Sequence, residues 1–340
     1  MKKITLLILT MILGLQGCNS SSDGSNKTKN PPVVPTKPTT PPVVHMIKPS
    51  DVANYIDDFK LEQRRLELVF NSVTSKITYV EKTKDSIILK YDQGLAVLGY
   101  DSDKDKLLPS LTLLEGDTSD LDNFKSTRTL TSSDISVDGD DHLTIYTGTV
   151  QDGESKGLYS ISIQINESIL EAGDSKLVIN GSKATLSGTL GTSTYIQIQK
   201  MIKTTSVDTL ILSNIPGSVN DAINMHTGRL IRNASLATVI PKDGDVNSGG
   251  VDLFAAGILR VYQDGGKVGV HSWCCTADGK DAGQLSKDDK AHGAQLTYFR
   301  EMLGAKKGPE FYFFTIKAAP AKEIHLMTSQ EMAKYNLTMP

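Results

Sequence analysis

Val207-Asp-Thr-Leu-Ile-Leu-Ser213, followed by Asn214-Ile215-Pro216-Gly217-Ser218, is a branched apolar run that halts at a Pro–Gly turn. Val219–Asn233 then carries helical spacing, and Leu236–Pro241 is a second apolar run. Upstream, Ala184–Leu190 reads as a strand and Thr192–Lys203 as a helix; downstream, Val251–Leu259 reads as an apolar helix. Strand and helix alternate at the spacing of βαβ units. This predicts an α/β domain over 181–340, a parallel sheet covered by helices. Such sheets hold ligands beyond the carboxyl ends of their strands.

Before residue 181 the pattern differs. Ile56, Phe59, Leu61, Leu66, Leu68 and Val69 are interleaved with charges, which predicts a helix over Val52–Val73 capped by Pro49-Ser50-Asp51. Ile77–Val80, Ser86–Tyr91, Leu95–Leu98, Leu143–Val150, Leu158–Ile165 and Lys176–Ile179 are short branched and aromatic runs between Gly, Asp and Ser turns. Residues 49–180 are therefore expected to form a helix plus a mostly β module. Asp101, Asp103 and Asp105 lie close together, but the glycine and terminal glutamate of a calcium loop are missing, which favours a solvated turn.

The beginning of the chain has three parts. Lys2 and Lys3 precede the apolar run Ile4–Leu15, which is too short for a hydrocarbon core of about 30 Å. Leu15-Gln16-Gly17-Cys18 then resembles the bacterial lipobox. That resemblance implies a signal peptide over 1–17 and a lipidated Cys18 in the cell envelope. Asn19, where retained lipoproteins carry Asp, favours the outer membrane facing the periplasm. Residues 18–48 are rich in Ser, Asn, Lys, Thr and Pro and read as an unstructured tether; about 30 residues at about 3.1 Å each reach about 90 Å.

The formal net charge of −3 becomes −5 once Lys2 and Lys3 leave with the leader, and no basic patch offers a nucleic-acid surface. With Cys18 lipidated, the adjacent pair Cys274 and Cys275 remains, as a vicinal disulfide or as two thiols; a disulfide framework is excluded. His271, Cys275, His292 and His325 follow no metal-ligand spacing, so neither a metal nor another cofactor is expected.

Two segments can carry chemistry. After the strand ending at Pro241, Lys242-Asp-Gly-Asp-Val-Asn-Ser248-Gly249-Gly250 leads into the apolar helix, so Ser248 stands at a helix start. Unpaired N–H groups there suit an oxyanion, and the two glycines let a substrate approach the backbone. A plain N-cap is the competing role. The second segment is Lys267-Val-Gly-Val-His271, a short strand ending in His271. A Ser–His contact is the minimum for general-base activation. Tyr298, Phe299 and Phe311–Phe314 read as core or subunit contact first and as a substrate groove second.

From Lys183 onward the chain resembles the Clp protease proteolytic subunit and, more broadly, the crotonase superfamily, with periplasmic Clp-protease-like proteins nearest in character. The family's strand, S-P-G-G-S-V and helix appear as Leu210-Ile-Leu-Ser-Asn-Ile-Pro216-Gly217-Ser218-Val219; its nucleophile and A-A-G as Ser248 and Ala255-Ala256-Gly257; its strand ending in the base as Val268-Gly-Val-His271; its late segment as Met327-Thr-Ser-Gln-Glu331-Met-Ala-Lys-Tyr335-Asn-Leu337. The resemblance implies Ser248 as nucleophile, His271 as general base, and the N–H groups of Gly217 and Gly249 as oxyanion donors. Pro216 stands where the pattern has glycine and lacks an N–H. The family's Asp position falls on Ile324, beside Glu323, which is taken as the third member; Asp252 is another candidate. The expected function is an envelope-anchored serine hydrolase of peptidase type acting on a peptide or acyl substrate, as a monomer or a homo-oligomer. The alternative is an inactive binding or scaffold lipoprotein that keeps the fold.

Overall fold

The structure, a computed structural model, describes residues 41–338 apart from 105, 122, 141 and 277. The signal peptide 1–17, Cys18, the tether up to residue 40 and Asp105 lie outside the described residues.

The first helix, α1 (Val52–Gln63), ends ten residues before Val73. Beyond it Leu66, Leu68 and Phe70 are buried while the residues between them are only half-buried. That is a period of two, so the stretch forms strands β1 (Glu67–Phe70) and β2 (Val73–Lys76) instead of prolonging the helix. β3 (Thr78–Lys82), β4 (Ser86–Tyr91), β5 (Gly94–Asp101), β6 (Lys106–Glu115), β7 (Arg128–Gly139), β8 (Thr144–Asp152) and β9 (Leu158–Ile165) complete an antiparallel sheet of nine strands. Its order, β2-β1-β9-β8-β7-β6-β5-β4-β3, puts β2 and β3 at opposite edges, yet only Ile77 separates them in sequence. Residues 76 and 78 are at most about 7 Å apart, so the sheet must roll until its edges meet. The enclosed face buries Leu68, Leu89, Leu98, Leu113, Leu130, Val150 and Ile163 completely. Asp101 closes the β5–β6 turn by accepting from the N–H groups of Asp103 and Lys104 and pairing with Lys104 Nζ.

After α2 (Ser168–Glu171), β10 (Lys176–Asn180) pairs with β11 (Lys183–Ser187), so the expected boundary at 180 falls too late: Lys176–Ile179 belongs to the second domain's sheet. There α3 (Thr192–Thr204), β12 (Thr209–Leu212), β13 (Asn214–Ile215), α4 (Asp221–Asn233), β14 (Ala237–Ile240), β15 (Asp245–Asn247), α5 (Gly249–Ala256), β16 (Arg260–Tyr262), β17 (Lys267–Val270), α6 (Gly293–Leu303), α7 (Lys307–Ala318), β18 (His325–Leu326) and α8 (Ser329–Lys334) follow. The domain is α/β, but the single sheet expected divides into two. One runs β10-β11-β12-β14-β16 and the other β13-β15-β17-β18. Ser213, Pro241–Gly244 and Gln263–Gly266 break each long strand, so β12, β14 and β16 continue as β13, β15 and β17. Both trios are parallel.

α1 belongs with this domain as well, since Val52 and Ile56 pack with Tyr195 and Ile223. Tyr55 Oη donates to Glu171 Oε2 at 2.6 Å and accepts from Asn220 Nδ2 at 2.6 Å. Burial and the neighbouring Glu171 push its phenol up to about 12. Asn220 also caps α4 through the Ile223 N–H, so this junction fixes where α4 begins.

Two tests follow for the rolled sheet. The hydroxyls of Tyr91 and Tyr146 are buried in it without a partner among the described residues. An unsatisfied buried hydroxyl costs about 1–3 kcal/mol, so Tyr146→Phe should raise the urea-unfolding free energy by about 1 kcal/mol; a loss of that size would contradict the packing. Asp152 accepts from Arg128 at 2.6 Å and from the N–H groups of Glu154 and Ser155, which hold its carboxyl well below the usual range. A depressed folded-state value stabilises above the unfolded value of about 3.9 and is lost as pH falls through it. The acid limb of the stability–pH curve should therefore flatten in Asp152→Asn.

Candidate functional site

Three adjacent parallel strands deliver the site. β13 is followed by Pro216-Gly217, β15 by Ser248 and β17 by His271, and β15 lies between the other two. The register sets Gly217, Ser248 and Val270 level at the carboxyl ends of the second sheet, with His271 one residue beyond. No hydrogen bond joins Ser248 to His271 among the described residues, and the two meet as lining of one pocket.

Ser248 turns the chain directly from β15 into α5 with φ 51° and ψ −122°, a left-handed conformation that costs a non-glycine residue about 1–3 kcal/mol. Its N–H donates to the Gly269 carbonyl at 2.9 Å, and its carbonyl accepts from Val251 at 2.8 Å. The side chain makes no capping bond, so the N-cap role does not apply. The flanking glycines serve packing rather than substrate approach. A Cβ on Gly249 would lie 2.7 Å from Ser218 Cβ and 2.9 Å from Asn224 Nδ2; one on Gly250 would lie 2.8 Å from Ile215 Cγ2 and Val246 Cγ1. Gly217, with φ +154°, faces Ser248 itself: its Cβ would stand 3.3 Å from Ser248 Cβ. The Gly217 N–H has no partner among the described residues, and the Gly249 N–H opens α5, where no carbonyl of the helix can reach it.

His271 Nδ1 lies 2.7 Å from the Ser272 carbonyl. A carbonyl only accepts, so Nδ1 carries the hydrogen and Nε2 of the neutral ring keeps its lone pair. Ser272 is buried and pinned, its N–H donating to Ala319 O and its Oγ accepting from Gly283 N.

Ser248 and His271 line one pocket with Asp221, Gly249, Val251, Asp252, Val270, Trp273, Gln295, Phe299, Phe311, Tyr312 and others. It is small, about 50 Å³, and opens to solvent. The carboxylates in it are Asp221 and Asp252. Glu323, the expected third member, sits on an exposed turn whose N–H binds Pro320 O, away from the pocket. Asp221 was not singled out in the sequence; its signal was its place right after the N-cap Asn220, three residues past Ser218. Ser218 Oγ donates to its carboxylate. Burial raises the Asp221 carboxyl above the usual range, while the Ser218 bond and the nearby His271 charge act against that rise. Asp252, one turn beyond Ser248, is raised further by burial and then by Asp221.

The other flagged residues are occupied elsewhere. His292 bridges Tyr312 Oη and the Ser286 carbonyl, His325 pairs with Glu331, and Tyr298 Oη donates to the Asp252 carbonyl. Cys274 and Cys275 are joined as a disulfide. With Asp281 they make the one grouping of three metal-type ligand atoms among the described residues.

No protein-family model matches the chain, and no curated protein matches it. Similar solved structures include an enoyl-CoA hydratase from Bacillus anthracis, 10% identical over 48% of this chain and 68% of that one, with a TM-score of 0.32. A membrane-bound stomatin-specific protease in complex with a substrate peptide is 16% identical over 46% and 71%, with a TM-score of 0.34. An enoyl-CoA hydratase from Bacillus halodurans is 16% identical over 48% and 71%, with a TM-score of 0.32.

The strain at Ser248 can be measured directly. Ser248→Gly should be more stable than Ser248→Ala by about 1 kcal/mol in chemical denaturation, since only glycine relaxes this φ. Equal stabilities would mean that the turn is unstrained.

Proposed function

We propose that the protein is a serine hydrolase of peptidase type, held in the cell envelope through lipidated Cys18. The observation that carries the reading is the shared pocket. Ser248 lies there on a strained strand-to-helix turn, beside a histidine whose Nδ1 is already bonded and whose Nε2 is left as a base.

In this reading His271 Nε2 takes the Ser248 proton as Oγ attacks an acyl carbonyl. The new C–O bond pushes the carbonyl electrons onto oxygen, and the N–H groups of Gly217 and Gly249 receive that oxyanion. His271 then gives the proton to the departing amine or alcohol. Water, deprotonated by the same ring, releases the acyl group and restores Ser248. In triads a carboxylate usually orients the ring and stabilises its cation. Here the Ser272 carbonyl supplies the orientation, and Asp221 supplies negative charge close to the ring. In this reading Pro216 does not remove the donor, because Gly217, which packs against Ser248, supplies the N–H.

A fluorophosphonate probe tests this. The wild type should label, Ser248→Ala should not, and His271→Ala should label about 100-fold more slowly or worse. Asp221→Asn should slow labelling by about tenfold with the fold intact by circular dichroism. A folded wild type that stays unlabelled leaves the inactive scaffold lipoprotein as the better reading.

A further inference from the structure

The pocket next to Ser248 contains one more carboxyl group than the proposed chemistry uses. Asp221 is accounted for by Ser218 and His271. Asp252 is not. It stands in the first turn of α5, four residues after Ser248, and both line the pocket. Its carbonyl is occupied by Tyr298 Oη at 2.7 Å. Its carboxyl enters no hydrogen bond and no ion pair among the described residues, and the nearest charge acting on it is the like-signed Asp221. Gln295 from α6 lines the same pocket, and its Oε1 is buried without a partner.

These two groups share one deficiency. A carboxylate and an amide oxygen both accept, and no protein donor reaches either. Gln295 Oε1 is buried and Asp252 half-buried; an acceptor left unpaired away from water is costly, and a bound donor relieves it. The surroundings are apolar: Val251, Phe299, Phe311 and Ile316 form the walls, with the ring of Tyr312 beside them. The complement of such a pocket is a cationic head on a hydrocarbon stem. The stem lies against the apolar walls, aromatic faces favour the charge, and the head meets the acceptors.

We infer that this pocket receives an arginine or lysine side chain of the substrate, on the acyl side of the scissile bond, with Asp252 as its charge partner and Gln295 Oε1 as a second acceptor. The inference rests on the reading of Ser248 as nucleophile, and the ester assay below tests the side of the bond. The cation pocket itself can be tested without turnover.

The probe is p-aminobenzamidine, a flat amidinium cation whose fluorescence rises on burial, titrated into the full chain. Saturable binding is expected for the wild type and equally for Ser248→Ala. Asp252→Asn should weaken it at least tenfold, and Gln295→Leu by a smaller factor; both variants are checked for folding by circular dichroism. Hydrolysis of lysine or arginine esters should exceed that of leucine esters, with the preference lost in Asp252→Asn. No saturable binding to the wild type, or unchanged binding in both folded variants, overturns the inference. Binding as expected in a protein that fluorophosphonate does not label keeps the cation pocket and removes the nucleophile.

Discussion

The site depends on one backbone constraint, the turn at Ser248 that sends the chain from β15 into α5 without a linker. A serine in that conformation raises the energy of the fold, so the surroundings must hold it there. They do so on three sides. The Gly269 carbonyl takes the Ser248 N–H, tying the turn to the neighbouring strand that ends near His271. Gly249 and Gly250 let α5 lie closer to Ser218, Ile215 and Val246 than any side chain would allow. Gly217 leaves open the space over the Ser248 side chain. The strain and the position of the hydroxyl therefore have the same cause, since a relaxed N-cap would turn Oγ back onto the helix.

That constraint also explains what the sequence could and could not disclose. Ser248 before an apolar helix and His271 at a strand end were readable, because each followed from a local pattern that fixes an element boundary. Their adjacency required the order of the second sheet, and that sheet was not readable. β13, β15 and β18 are two or three residues long, too short to show a period, so β13 reads as part of a turn and β15 as a loop. That Glu323 lies outside the pocket was unreadable for a related reason. The Ser272 carbonyl that orients His271 belongs to the backbone and leaves no residue signature, and Asp221 comes from α4, a helix with no motif of its own. β6 and β7 were overlooked because β7 and part of β6 expose both faces, which erases the alternation that marks a half-buried strand.

The joining of the two domains gives the long helix error a purpose. α1 was extended in the sequence reading because Leu66 and Leu68 prolong its apolar count. In the fold, α1 stops and its Tyr55 reaches α4 through Asn220, the residue that caps the helix carrying Asp221. The N-terminal segment is also tied here: the Ile47 carbonyl lies 2.8 Å from His226 Nε2, and the Val44 N–H donates to Thr297. The chain leading from residue 41 into α1 is thus seated on the α/β domain, on the helices that border the pocket, before it enters the rolled sheet.

The two pocket carboxylates illustrate how environment assigns roles to like residues. Both are raised by burial, and Asp221 raises Asp252 further. Only Asp221 has compensation within the protein, a serine hydroxyl and a histidine able to become a cation. Asp252 has no such partner, and the protein has made no cation available to it, although Arg229 and Arg232 lie on the neighbouring α4; they are directed to Glu301 and to the carbonyls of Ala255 and Met302. A hydrophobic residue would fill the same place on α5 at lower cost. An acid there, lining the pocket, is best understood through whatever enters the pocket.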